Sequence, residues 1–97
     1  MNRTEELDRL YGLLVALGES RHEAPEPDLM DAFNVVSERH QPSAFPHLAD
    51  QDYDAQLAAA HTLLLHLAET AHVLGEALDM YDAAELVRSV IDGRRRS

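Results

Sequence analysis

The sequence predicts an all-α protein: one small bundle of about four helices with a long central third helix. Three observations predict it. Hydrophobic residues make up 45% of the 97, yet the aromatics are only three Tyr and two Phe, with no Trp. The core must therefore be built from Leu, Val, Ala and Met, and Leu and Ala are strong helix formers. The apolar residues recur at spacings of three and four, the period of a helix face rather than the alternation of a strand. Prolines and polar clusters separate these periodic stretches, and no proline follows Pro46. A chain of this length is one domain, taken as residues 1–93 with 94–97 as a basic flexible tail.

The first helix is expected from Thr4 to Leu17. Asn2 or Thr4 can cap it, and Glu5 and Glu6 fall in its first turn, where the helix dipole favours negative charge. Leu7, Leu10, Tyr11, Leu14 and Leu17 form its apolar face, which Leu13 and Val15 widen. Gly18 stops it. The polar stretch "ESRHEAPEPD" follows, and Pro27 and Asp28 suit the start of a second helix. That helix runs to about Arg39, with Leu29, Met30, Phe33 and Val36 inward. "HQPSAFPHLAD" then breaks it, because Pro42 and Pro46 forbid a regular helix. Phe45 and Leu48 are expected to tuck that loop against the core.

Asp50, Asp52 and Asp54 open the third helix. Their spacing matches the first positions of a calcium loop, but Ala55 stands where the sharp-turn Gly belongs and His61 where the bidentate Glu belongs. An acidic helix start explains them better. Leu57, Ala60, Leu64, Leu67, Ala71, Leu74 and Leu78 then form a near-heptad stripe. Gly75 or "LDMYD" is expected to end this helix, with Asp79 or Asp82 capping a fourth. One unbroken helix from Asp52 to Asp92 would outrun its partners and expose its stripe. The fourth helix is expected from Ala83 to Ile91, with Leu86, Val87, Val90 and Ile91 inward and Gly93 closing it. A short connection makes the third and fourth helices antiparallel neighbours. The wide faces of helices one and three predict a homodimer that buries part of both.

Composition excludes several functions. With no cysteine, disulfides, thiolate catalysis and Cys-based zinc sites are ruled out. The N-terminus "MNRTEELDRL" is polar and acidic, unlike a signal peptide, and "YGLLVALG" is too short to span a bilayer. A cytoplasmic, membrane-free protein is expected. The formal net charge is -10, and the eight basic side chains are all Arg. Exclusive Arg use alongside much Ala suggests a GC-rich bacterial genome. An acidic body repels phosphate backbones, which disfavours nucleic acid and suits a basic protein partner. No Gly-rich phosphate loop or serine-nucleophile context is present.

Candidate chemistry concentrates in "HTLLLHLAETAH", residues 61–72. His61 and His72 would lie about 16 Å apart along one helix, too far to share an ion. His66, Glu69 and His72 step three residues at a time, each rotated by about 60°. Glu69 and His72 have the Glu-x-x-His spacing used by di-metal carboxylate bundles. Glu19 and His22 repeat it beside a proline-rich connection. These three residues are the candidate ligands for a divalent transition metal, with dimerisation supplying the missing ones. "HLAETAHVLG" around His66 is also similar to the histidine-bearing stretch of histidine phosphotransfer domains. It lacks the Lys-Gly that follows the histidine there. The function expected is a small acidic, non-enzymatic module of the regulatory, immunity or antitoxin kind, which binds another protein. The alternative is a metal-binding bundle centred on His66, Glu69 and His72.

Overall fold

The computed structural model describes residues 2–19, 26–41 and 52–96. These form α1 (Arg3–Gly18), α2 (Pro27–Arg39), α3 (Tyr53–Glu69) and α4 (Leu74–Arg96), with no strand among them. The all-α class is as expected. Asn2 Oδ1 accepts a hydrogen bond of 2.8 Å from the Glu5 amide, so the first helix is capped by the side chain that its sequence offered. Pro27 occupies the first turn of α2, where its missing N–H costs nothing. Asp52 caps α3 by accepting from the Ala55 amide at 3.3 Å, and Asp54 lies in its first turn. Asp50, Phe45, Leu48 and His22 lie outside the described residues.

Helix α1 packs on α2 and α3, and α4 packs on α2 and α3. The four helices thus form a ring in the order α1, α3, α4, α2. Interhelix contacts fix their directions. The start of α1 meets the end of α3 through Arg3 and Thr70. The end of α2 meets the start of α4 through Arg39 and Asp79. The end of α4 meets the start of α3 through Arg94 and Asp54. His40, just past α2, meets Asp8 of α1. Each helix is therefore antiparallel to both ring neighbours, and neighbouring helix dipoles oppose.

Leu10, Leu13, Leu14 and Leu17 of α1 close on Leu29, Ala32 and Val36 of α2, with Leu57, Ala60, Leu64 and Leu67 of α3 opposite. Met80, Ala83, Ala84, Val87 and Val90 complete the core from α4. Tyr11 and Phe33 pack ring against ring with centroids 5.0 Å apart, which ties α1 to α2.

Four expectations are corrected. Met30 is 62% exposed rather than inward. Helix α3 is not the longest: it has 17 residues, and α4 has 23. The break between them falls at residues 70–73, not at Gly75 or "LDMYD". One continuous helix of residues 52–92 would be about 60 Å long, against a longest dimension of 37 Å. Lastly, α4 does not close at Gly93. It runs on to Arg96, and Arg94 pairs with Asp54 and lies 4.6 Å over the Tyr53 ring. Arg94–Arg96 are thus the last turn of a helix, where cations complement its dipole, rather than a separate flexible tail.

The position of Gly93 gives a test of opposite signs. Its φ is not positive, and a Cβ built on it meets nothing within 4 Å. Gly93→Ala should stabilise the protein by about 0.5–1 kcal/mol, because Ala restricts the unfolded chain and favours the helix. Were Gly93 a left-handed stop, the same change would destabilise. Urea denaturation separates the two.

Candidate protein-interaction surface

The three expected metal ligands do not share one helix face. Helix α3 ends at Glu69, and Thr70 is its C-cap. His72 lies in the turn before α4, so the Glu69–His72 pair loses the one-turn spacing that a ligand unit needs. Both side chains are exposed. His66 instead contacts a first-turn carboxylate of another helix: its Nε2 lies 2.8 Å from Glu6 Oε2 on α1. That nitrogen belongs to the histidine on which the phosphotransfer resemblance rests. Among the described residues no group of three His, Cys, Asp or Glu side chains could hold a metal ion. Of the three candidates, His66 lines an open groove of about 680 Å³ between α1 and α3, with Glu6, Arg9, Ala58, Ala59, Thr62 and Leu63. His61 is half-buried on α3.

A second histidine was missed. His40 Nε2 lies 2.6 Å from Asp8 Oδ1, and the pair is largely sheltered. Its partners are 32 positions apart, and no local pattern announces them. The same holds for Arg3. Its guanidinium donates to Thr70 Oγ1 at 2.9 Å, to the Leu67 carbonyl at 3.0 Å and to Glu76 Oε1 at 2.6 Å. The ends of α1, α3 and α4 are thereby joined at one point.

Other cations also pair across helices. Arg3, Arg39 and Arg94 hold Glu76, Asp79 and Asp54. Glu5, Asp31, Glu38, Glu69, Asp82 and Glu85 are exposed and make no ion pair among the described residues. Exposed carboxylates outside ion pairs are therefore found on all four helices.

The start of α4 adds an apolar element. Val73, Leu74, Leu78 and Tyr81 are 60%, 75%, 55% and 42% exposed. Leu74 and Leu78 belong to the stripe expected to be buried. Because the chain turns at residues 70–73, the stripe leaves the core after Leu67, and Met80, Ala83 and Val87 face inward in its place. At 100° per residue, Leu74, Leu78, Tyr81, Asp82 and Glu85 fall within a sector of about 100°. Leucines and carboxylates thus share one outward face.

Among the described residues no helix is long and apolar enough to cross a membrane. No protein-family model, curated protein or solved structure matches the chain.

Proposed function

We propose that this chain is a small, acidic, non-enzymatic interaction module that binds a basic protein partner in a regulatory, immunity or antitoxin-like role. The observation that carries this reading is the use of the arginines. Three of them pair across helices with Glu76, Asp79 and Asp54, while Glu5, Asp31, Glu38, Glu69, Asp82 and Glu85 stay exposed without an ion pair among the described residues. The molecule carries a net charge of -10, and the field outside it attracts cationic surfaces and repels phosphate.

Affinity capture at low salt tests the reading. A basic protein should be recovered and should elute as salt rises, because screening shortens the reach of surface charge. Recovery of nothing, or of nucleic acid alone, overturns it.

The homodimer belongs to the same proposal. The α1–α3 groove sets Ala58, Ala59, Thr62 and Leu63 beside Glu6, His66 and Arg9. Small side chains allow close approach, and Glu6 is matched there by Arg9. A second copy would seat there. Sedimentation at micromolar concentration should give a dimer that Ala59→Glu splits; a monomeric wild type ends that part of the proposal.

A further inference from the structure

We propose that the first three turns of α4 form a docking strip for a cationic amphipathic helix of another protein. The proposal rests on the acidic-module reading above and gives it a place and an occupant.

Leu74, Leu78 and Tyr81 follow one another at spacings of four and three, so they form a ridge on one helix face. All three stand in water, Leu74 most of all at 75% exposed. Burying them against an apolar ridge on another helix is favourable because it removes apolar surface from water. Asp82 and Glu85 lie in the same sector and make no ion pair among the described residues. An incoming helix with leucines at i, i+4 and i+7 and arginines at its edges matches both features: its leucines meet the ridge and its guanidinium groups meet the carboxylates.

Other occupants match less well. Two copies of this chain meeting here would set Asp82 and Glu85 of one against the same carboxylates of the other, and like charges repel at low salt. Three apolar side chains are also few for the roughly 800 Å² per partner of a stable interface. An anionic lipid surface is repelled by Asp82 and Glu85.

The test uses the full chain and a labelled synthetic helix of about 18 residues, five turns long, with Leu at i, i+4 and i+7 and Arg beside them. One control peptide replaces each Leu with Ser; another replaces each Arg with Glu. Fluorescence anisotropy should show binding of the Leu/Arg helix to the wild type. Leu78→Asp should weaken it by about tenfold or more. The double change Asp82→Arg with Glu85→Arg should shift preference to the Leu/Glu peptide. Leu74→Ser, at the most exposed position, is the second variant if Leu78→Asp does not fold. Undiminished binding to both apolar variants overturns the strip. If the Ser peptide then still binds, the acidic reading stands without the strip; if no cationic peptide binds at all, both fall. A wild type whose self-association disappears in Leu78→Asp assigns the strip to a second copy and overturns the proposal.

Discussion

Leu64→Ala is expected to destabilise the protein by about 2–5 kcal/mol. Leu64 is fully buried and sits on α3, the helix that packs on both α1 and α4. Truncation removes favourable burial and leaves a cavity that rigid helices fill only in part. A domain of 97 residues buries a smaller share of its surface than a large one, and typical domains are stable by only about 5–15 kcal/mol. The variant should therefore lose a large fraction of its margin. Urea denaturation followed by circular dichroism measures it, with the midpoint falling and the slope preserved. The neighbouring Leu65 is half-buried, and Leu65→Ala should cost clearly less. Equal losses at the two sites, or a loss at Leu64 below about 1 kcal/mol, would show that α3 does not turn this face to the core.

The second large effect is expected at Arg3. Arg3→Ala removes four hydrogen bonds at once, to Glu76 twice, to Thr70 and to the Leu67 carbonyl. Hydrogen bonds that involve a charged group contribute about 1.5–3 kcal/mol in sheltered sites. The Arg3 and Glu76 side chains are 26% and 20% exposed, so solvent screens part of this, and a net loss of about 1–2 kcal/mol is expected. Arg3→Lys should recover little, because an ammonium cannot span three acceptors as a planar guanidinium does. The loss should also be local: hydrogen exchange should quicken at the end of α3 and the start of α4 before it does in mid-helix. The Arg39–Asp79 pair is a natural control. Its side chains are 37% and 39% exposed, and breaking it should cost under about 1 kcal/mol. If Arg3→Ala proves as mild as Arg39→Ala, with exchange unchanged, the three-helix junction contributes nothing to the turn.

The candidate site was less legible in the sequence than the fold, for the same physical reason in each case. A cap is decided within four residues, as Asn2 and Asp52 illustrate. A salt bridge between helices is decided by packing: Glu6 was read as a first-turn carboxylate, and its contact with His66 appears only once α1 lies antiparallel to α3. The metal reading of His66, Glu69 and His72 assumed that one helix carries all three. Helix α3 ends within that set, and the assumption ends with it. Leu74 and Leu78 show the same limit. Their spacing continues a buried stripe without interruption, yet the turn carries them to the outside.

By itself the sequence determined four helical stretches, most of their inward faces and the acidic charge, because periodicity, capping and composition are local properties of the chain. Tertiary structure alone supplied the Arg3 contact at the end of α3. No proline or glycine marks residues 70–73. The Thr70 hydroxyl donates to the His66 carbonyl at 2.8 Å, and Arg3, 64 positions upstream, donates to the Leu67 carbonyl at 3.0 Å. A helix can end without its own stop signal when side chains from elsewhere satisfy its last carbonyls. That distant contact sits at the turn after which Leu74 and Leu78 meet water.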